Sequence, residues 1–252
     1  MFNNKTILIT GGTGTFGVHF LNYLIKNKIN FKKIIIFSRD EFKQFNLQNT
    51  FDKKTLNKLR FFLGDIRDKE RLKSAFRDVD IIIHAAALKQ VPVAEYNPVE
   101  FIKTNILGSQ NIVEAAMESK VKKIVSLSTD KACSPINLYG ATKLCADKLF
   151  ISANNIRGKN KITFSVVRYG NVFGSRGSIA PLFAKIKNNQ VFPVTDFEMT
   201  RFNITLKKSI DMVLWVEKNM KGGEIFVPKI PSYKVTDLVK AISPKSKIKI
   251  AG

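Results

Sequence analysis

The sequence predicts an α/β protein with a doubly wound parallel sheet and helices on both faces. Apolar runs of strand length alternate with helical patterns from residue 5 to residue 172. The first run leads through a glycine-rich turn into a helical pattern, as a strand–turn–helix unit does. Beyond residue 172 the predicted elements become shorter. We therefore predict a sheet domain over residues 1–172 and a smaller lobe over 173–252 at the carboxyl ends of the strands, where such sheets bind ligands.

The composition allows one substantial core. The chain has 252 residues, of which 44% are hydrophobic, so it has no room for two full domains. Its two cysteines, Cys133 and Cys145, and its two histidines predict neither a disulfide framework nor a metal site. No apolar run approaches the length of about 18 residues that crosses a bilayer, so we expect a cytoplasmic protein without a membrane partner.

The net charge of +22 raises the possibility of a nucleic-acid partner. The lysines and arginines are scattered through helices and loops, however, and do not form one basic run. We therefore predict no nucleic-acid partner. The excess positive charge would still attract an anionic substrate such as a nucleotide sugar.

The glycine-rich turn is the first candidate site. Glycines recur at three-residue intervals directly after the first strand, at Gly11, Gly14 and Gly17. Such a turn lets the backbone approach a pyrophosphate, which then lies at the positive end of the following helix. The candidate cofactor contacts in this turn are Gly11, Thr13, Gly14, Thr15, Phe16 and Gly17.

The second strand, over 33–37, ends where an NAD enzyme places an acid on the ribose 2′-hydroxyl. Ser38 and Arg39 occupy this place, and a hydroxyl with a guanidinium suits a 2′-phosphate. We therefore predict NADP, while Asp40 keeps NAD possible. After the third strand, over 59–63, Asp68 is predicted to cap a helix.

An apolar strand predicted over 79–88 runs into three alanines, whose small side chains would let a cofactor lie against the backbone. Lys89 follows it, within reach of a nicotinamide ribose. Asn97 is the predicted cap of the next helix, with Glu100 closing a capping box. That helix carries Thr104 and Asn105 toward the cofactor edge.

The stretch over 123–143 holds the densest polar chemistry of the chain. A buried strand ends at Ser128 to Lys131, and Asn137 announces a helix that carries Tyr139 and Lys143. Four residues apart on a helix means one face, so the Lys143 ammonium can favour the Tyr139 phenolate and lower its pKa from about 10. The pair is a candidate general base.

A strand-end Thr129, followed by Tyr139 and Lys143 and preceded by the glycine turn, resembles the short-chain dehydrogenase/reductase superfamily in its extended form. Asp130 and Lys131 narrow this resemblance to the inverting UDP-N-acetylglucosamine 4,6-dehydratases, which open the route to pseudaminic acid. The same resemblance extends over residues 84–89, 94–98, 138–143, 168–172 and 199–202.

The resemblance implies a lyase reaction without net redox change. Tyr139, assisted by Thr129 and Lys143, would take the proton of the sugar 4-hydroxyl while hydride leaves C4. Lys131 would remove the C5 proton, and Asp130 would protonate the departing 6-hydroxyl. Further cofactor contacts implied are Asp65, Ile66, Ala85, Ala86, Ala87, Lys89, Thr104, Tyr139, Lys143 and Tyr169. Substrate contacts implied are Lys89, Thr129, Asn171, Ser178, Thr195 and Arg201.

Other functions are also compatible with the sequence. The nearest are a UDP-sugar 4-epimerase and a retaining 4,6-dehydratase of the same superfamily, and the most distant is a non-catalytic dinucleotide fold that holds RNA. Relatives of this kind imply a homo-oligomer. The family pattern continues with an Arg-Pro-Gly-Glu segment after the point where this sequence stops, so we expect a shortened nucleotide end of the substrate lobe.

Overall fold

The computed structural model describes residues 2–174 and 191–251. These residues form two compact units, one of residues 1–168 and 210–227 and the other of 169–209 and 228–252. The strands are β1 (Thr6–Thr10), β2 (Lys33–Ser38), β3 (Leu59–Leu63), β4 (Ile81–His84), β5 (Lys123–Thr129), β6 (Thr163–Tyr169), β7 (Asn171–Val172), β8 (Phe192–Val194), β9 (Thr200–Ile204), β10 (Ile225–Phe226), β11 (Ser232–Lys234) and β12 (Ile248–Ile250).

The first unit is built on a seven-stranded sheet in the order β10-β6-β5-β4-β1-β2-β3. The pairings of β1 with β2 and β4, of β2 with β3, of β4 with β5 and of β6 with β10 are parallel. The predicted doubly wound parallel sheet is confirmed. The chain moves outward from β1 to β3 and then returns to place β4 on the other side of β1, which opens a crevice at the carboxyl ends of β1 and β4.

The inner strands β1, β2, β4 and β5 are buried on both faces, which explains why they are near-continuous apolar runs. All five residues of β1 are buried. Leu8, Ile35 and Ile82 belong to one core cluster on one face, while the adjacent Ile7 and Ile9 are also fully buried and point to the opposite face. Burying each such side chain contributes about 1.5–3 kcal/mol.

Helices connect the strands, and one of them starts at a cap that the sequence predicts. Asp68 accepts a hydrogen bond from the Arg71 amide at 2.9 Å, so the predicted cap is confirmed. The helices are α1 (Thr15–Lys26), α2 (Glu41–Gln48), α3 (Lys53–Leu56), α4 (Lys69–Ala75), α5 (Val91–Tyr96), α6 (Pro98–Phe101), α7 (Gly108–Met117), α8 (Leu138–Ile156), α9 (Leu206–Asn219) and α10 (Val235–Ile242), with a π-helical turn at Ile102–Leu107 and a 3-10 turn at Asp130–Ala132.

The predicted capping box of Asn97 and Glu100 is wrong. Asn97 precedes α6, but within the described residues its side chain makes no cap hydrogen bond. In a capping box, the Glu100 side chain would accept a hydrogen bond from the Asn97 backbone N–H. That N–H already donates to the Val93 carbonyl of α5 at 2.9 Å. Glu100 pairs with Arg67 at 2.8 Å instead. The strand predicted over 79–88 is also shorter, because the loop after His84 turns toward β1.

The second unit has its own small core of Phe192, Val194, Val235 and Val239. It contains a three-stranded sheet in the order β11-β9-β7 and the parallel pair of β8 and β12. Residues 210–227 belong with the first unit, where β10 pairs with β6, although the sequence analysis assigns them to the smaller lobe. The division at residue 172 stays a prediction.

Across residues 2–174 and 191–251, no helix combines the length and apolar character that crossing a bilayer requires.

Candidate active site

The glycine-rich turn brings the backbone of β1 against the loop that follows β4. Gly11 has φ +64°, and a Cβ there would lie 2.9 Å from the Ala86 backbone, so only glycine fits without strain. The Gly14 amide donates to the Gly11 carbonyl at 2.8 Å, and α1 begins at Thr15. Among the described residues Gly14 offers no side-chain cap, so the first amides of α1 remain available for an anion.

The other predicted residues of this turn lie at or near the start of α1. Thr13 precedes α1, Phe16 stacks on Phe20 with ring centroids 5.5 Å apart, and Gly17 is buried. A Cβ at Gly17 would overlap Gly12, so close packing of the helix on the turn requires this glycine.

Thr10 and His84 fix the alanine loop, and the sequence analysis gives neither a role. The Thr10 hydroxyl accepts hydrogen bonds from the Ala85 and Ala86 amides at 3.2 and 3.3 Å. It also lies 2.7 Å from His84 Nδ1, within hydrogen-bond distance. Burial, with the charge of Lys143, lowers the pKa of His84 to about 3, so the imidazole is neutral. A hydroxyl at the end of β1 is the signal that could have indicated this contact.

Asn105, on the π-helical turn, ties three elements together. Its amide nitrogen donates to the Leu88 carbonyl at 2.9 Å and to Thr142 Oγ1 at 3.1 Å, and its amide oxygen accepts from the Leu88 N–H at 2.9 Å. The loop that carries Ala87 and Lys89 is thereby fixed to α8. The neighbouring Thr104 is buried, and its hydroxyl has no hydrogen-bond partner within the part of the chain described.

We expect Asn105→Ala to lower the free energy of unfolding by about 2 kcal/mol, because it leaves the partly buried N–H and C=O of Leu88 unpaired. Asn97→Ala is the matched control: Asn97 is exposed and its side chain makes one long hydrogen bond, to the Val93 carbonyl at 3.3 Å. Its loss should cost about 0.5 kcal/mol or less. Urea unfolding of both variants measures the difference, and equal losses would contradict the role of Asn105 as a clamp.

The residues predicted to select the cofactor lie at the ends of β2 and β3. Ser38 is buried, and its hydroxyl accepts from Gln44 at 3.0 Å. The guanidinium of Arg39 is half exposed and lies 3.5 Å from Asp65. Asp40 caps α2 by accepting from the Lys43 amide at 2.9 Å, which gives this carboxylate a structural role.

Asp65 and Ile66 follow β3. Asp65 accepts hydrogen bonds from the Arg67 amide and guanidinium at 2.8–3.0 Å, and the pKa of its carboxyl lies below the usual value because these bonds and nearby charges outweigh its burial. The Ile66 side chain is buried in the main core. Only the backbone of Ile66 is therefore placed for a cofactor contact.

Tyr139 and Lys143 lie on one face of α8, as predicted. The helix starts where Asn137 accepts from the Gly140 amide at 2.8 Å. Gly140 itself lets α8 press against the 3-10 turn, since a Cβ there would overlap the Lys131 carbonyl oxygen. This close approach brings Asp130 and Lys131 beside the start of α8.

The predicted lowering of the Tyr139 pKa is wrong for this structure. Burial raises the pKa of Tyr139 to about 12, and the carboxylates of Asp130 and Asp147 act in the same direction. A hydrogen bond with Thr129 acts in the opposite direction but does not outweigh burial. The ammonium of Lys143, one turn further along α8, donates to the Leu127 carbonyl at 2.9 Å.

Asp130 and Lys131 form an ion pair beside Thr129. The Thr129 hydroxyl donates to Asp130 Oδ1 at 2.8 Å, and Lys131 Nζ lies 3.2 Å from the same oxygen. Both charged side chains retain partial exposure, 26% and 32%. Together with the Thr129–Tyr139 hydrogen bond, these contacts form a continuous polar chain of Tyr139, Thr129, Asp130 and Lys131.

Lys89 is the second cation near this chain. Loss of hydration lowers its pKa, and the positive charge of Lys131 lowers it further. The structure therefore brings together the predicted residues of the β4 loop and of β5. Two groups that the sequence analysis missed also lie here: Asp147, fully buried on α8, and Arg168, whose guanidinium binds it at 2.7 and 3.2 Å.

The remaining predicted substrate contacts lie in the second unit. Asn171 is on β7 and Arg201 on β9, where the Arg201 guanidinium donates to the Thr200 carbonyl at 2.8 Å. Thr195 follows β8. Tyr169, a predicted cofactor contact, is buried at the end of β6. Ser178 lies outside the described residues.

The family described as polysaccharide biosynthesis protein matches residues 7–252. The chain belongs to this family. A relative, the UDP-N-acetylglucosamine 4,6-dehydratase (inverting) of Campylobacter jejuni, is 57% identical over 255 residues, covering all of this chain and 75% of the relative. A UDP-glucose 4-epimerase of Rickettsia bellii is 44% identical over 259 residues, with the same coverage. The chain is thus a member of an enzyme family.

Solved structures place the polysaccharide biosynthesis fold among the extended short-chain dehydrogenases/reductases, as predicted. Pen from Bacillus thuringiensis superposes with a TM-score of 0.92 at 43% identity, over all of this chain and 80% of that one. DesIV, a dTDP-glucose 4,6-dehydratase from Streptomyces venezuelae solved with NAD and TYD, has a TM-score of 0.83 at 22% identity, over 97% of this chain and 84% of that one. At that identity the likeness concerns the fold.

Proposed function

We propose that the protein is a lyase that binds NADP and catalyses 4,6-dehydration of UDP-N-acetylglucosamine with inversion at C5. The product would be a UDP-4-keto-6-deoxy-L-hexosamine, the first intermediate toward pseudaminic acid. The 57% identity to a relative of that name over the whole chain supports the substrate. The observation that carries the proposal is the polar chain of Tyr139, Thr129, Asp130 and Lys131, because it joins a phenol to an acid–amine pair.

The first unit fits a nicotinamide dinucleotide. The absence of a side chain at Gly11 lets the turn approach the Ala86 backbone, and the uncapped start of α1 suits the pyrophosphate. Thr104 and Lys143 would face the nicotinamide end. When bound, the oxidised ring supplies a positive charge and a place for the hydride that leaves C4 and returns at C6.

Tyr139 opens the reaction by accepting the proton of the sugar 4-hydroxyl. In the structure burial keeps this phenol neutral, with a pKa of about 12. Its ionisation therefore depends on positive charge close to it, to which the buried ammonium of Lys143 contributes from one turn further along α8. Thr129 holds the phenol oxygen by a hydrogen bond and orients it.

Asp130 and Lys131 then remove water. Ketone formation at C4 acidifies the C5 proton. A proton shift within the ion pair, from Lys131 Nζ to Asp130 Oδ1 across 3.2 Å, gives a neutral amine and a carboxylic acid. The amine takes the C5 proton while the acid protonates the leaving 6-hydroxyl, so the pair returns to its starting charges. Water reprotonates C5 from the opposite face, which gives the inverted sugar, and Tyr139 returns the proton of the 4-hydroxyl to solvent.

Incubation with UDP-N-acetylglucosamine tests the proposal. We expect a product lighter by one water in mass spectrometry, and proton NMR of the ring should show inversion at C5. A product with retained C5 would identify the retaining dehydratase. No turnover of any nucleotide sugar, together with salt-sensitive RNA retention, would favour the non-catalytic reading.

A UDP-sugar 4-epimerase is the second candidate, because relatives 42–44% identical carry the name UDP-glucose 4-epimerase. An epimerase returns hydride to C4 and needs no acid–amine pair for loss of water. A product isomer of unchanged mass would select it. Assembly as a homo-oligomer and a cytoplasmic location remain predictions from the sequence.

Arg39 is expected to determine the choice of NADP. Its half-exposed guanidinium is free to swing from Asp65 to a 2′-phosphate, whereas Asp40 is committed to capping α2. We expect Arg39→Ala to raise the Kd for NADP by about 10- to 100-fold and to change the Kd for NAD little. Isothermal titration calorimetry measures both constants.

The matched control for Arg39 is Arg60→Ala. Arg60 is exposed on β3, and its guanidinium lies 4.7 Å from the centre of the Phe62 ring. Its replacement should leave the Kd values for NADP and NAD unchanged. Equal weakening of NADP and NAD by Arg39→Ala would show that Arg39 does not recognise the 2′-phosphate.

A further inference from the structure

Asp147 is a fully buried carboxylate that the proposed reaction does not use. It lies on α8, one turn beyond Lys143. Its Oδ2 accepts from Arg168 Nε at 3.2 Å and Nη2 at 2.7 Å. Its Oδ1 is buried and has no hydrogen-bond partner within residues 2–174 and 191–251. Because a buried charge costs several kcal/mol unless it is compensated, a second favourable interaction is expected for this carboxylate.

Lys143 lies four residues before Asp147 on α8, and the charge of Asp147 acts on it. The Lys143 side chain is buried, and its Nζ donates to the Leu127 carbonyl at 2.9 Å. Residues four apart on a helix are neighbours on one face. Burial lowers the pKa of Lys143, and the negative charge of Asp147 raises it.

The other titratable groups around Lys143 do not replace Asp147. His84, from β4, is neutral because its pKa is about 3. Tyr139, on α8, is neutral because burial raises its pKa to about 12. Arg168, from β6, is a cation and is paired with the Asp147 carboxylate at 2.7 Å.

We propose that Asp147 is a positioning residue whose carboxylate, fixed by Arg168, holds Lys143 in its ammonium form beneath Tyr139. This inference rests on the proposed function, in which the Lys143 ammonium supports loss of the Tyr139 proton. The direct effect of Asp147 on Tyr139 has the opposite sign, since its negative charge raises the pKa of the phenol. Its contribution to the reaction therefore passes through Lys143.

The test is the pH dependence of kcat for Asp147→Asn in the full chain. Without the carboxylate, Lys143 loses its proton at lower pH, so the alkaline limb should move down by about 1 pH unit or more. Asp147→Glu keeps the charge and should keep the limb near its wild-type position. A loss of kcat by the same factor at every pH would overturn the proposal, because it would indicate a structural role.

Glu217→Gln provides a matched control. Glu217 is also buried, its Oε1 lies 3.3 Å from Lys123 Nζ, and its Oε2 is buried without a hydrogen-bond partner among the described residues. The pair lies at the start of β5, whereas Thr129 is at its end. This variant should lose stability without moving the alkaline limb, and an equal movement would overturn the proposal.

A readout without turnover separates this inference from the proposed function. The 15N NMR signal of the Lys143 side chain, assigned by its loss in Lys143→Arg, should titrate at lower pH in Asp147→Asn than in the wild type. A shifted signal in a protein that dehydrates no sugar would overturn the proposed function alone, and an unchanged signal would overturn this inference. If Asp147→Asn does not fold, the double variant with Arg168→Gln, which removes both charges, should shift the signal in the same direction.

Discussion

Lys131→Ala is expected to abolish dehydration of UDP-N-acetylglucosamine, with kcat reduced by about a thousandfold or more. The amine of Lys131 is the group placed to take the C5 proton, since it pairs with Asp130 at 3.2 Å in the same polar chain as Tyr139. Cofactor binding should survive, because the glycine turn and the alanine loop do not depend on this side chain. Mass spectrometry of the product and calorimetric titration with NADP measure the two properties.

The exchange of the C5 proton locates the defect. In deuterated water the wild type should incorporate deuterium at C5, and Lys131→Ala should not. Lys148→Ala, which removes an exposed lysine of α8, is the control for a change of surface charge and should behave as the wild type. Retained dehydration in Lys131→Ala would remove this residue from the mechanism.

Tyr139→Phe is expected to lower kcat by about a thousandfold or more as well, but at an earlier step. Without the phenol oxygen, no group in the polar chain accepts the proton of the sugar 4-hydroxyl, so hydride cannot leave C4. The ring is partly buried, and phenylalanine preserves its packing. The variant should therefore fold and bind both ligands.

Single-turnover absorbance distinguishes this defect from that of Lys131→Ala. Reduced nicotinamide should form transiently in Lys131→Ala and should not form in Tyr139→Phe. Tyr96→Phe removes a hydroxyl from a tyrosine that is 91% exposed and should leave the rate unchanged. Formation of reduced cofactor at the wild-type rate in Tyr139→Phe would assign the base to another residue.

The parallel sheet, the glycine turn and the polar residues at the strand ends could be predicted from the sequence. These features depend on local rules: continuous apolar runs form strands buried on both faces, Asn137 caps the helix that it precedes, and residues four apart share a helix face. Because parallel strands end at one edge, the residues after β1, β4 and β5 had to meet there. The glycine spacing and the Tyr139–Lys143 pair could be predicted because both also depend on local sequence rules.

The electrostatics of the site depend on the folded chain and could not be predicted from local patterns. Whether burial or a neighbouring charge sets the pKa of Tyr139 depends on how much water α8 excludes, which the sequence does not show. Asp147 finds Arg168 across 21 residues of sequence, and Thr10 finds His84 across 74. The capping box predicted at Asn97 failed because the preceding helix had already taken its N–H. Contacts between distant segments carry no local pattern, so they had to be seen in the folded chain.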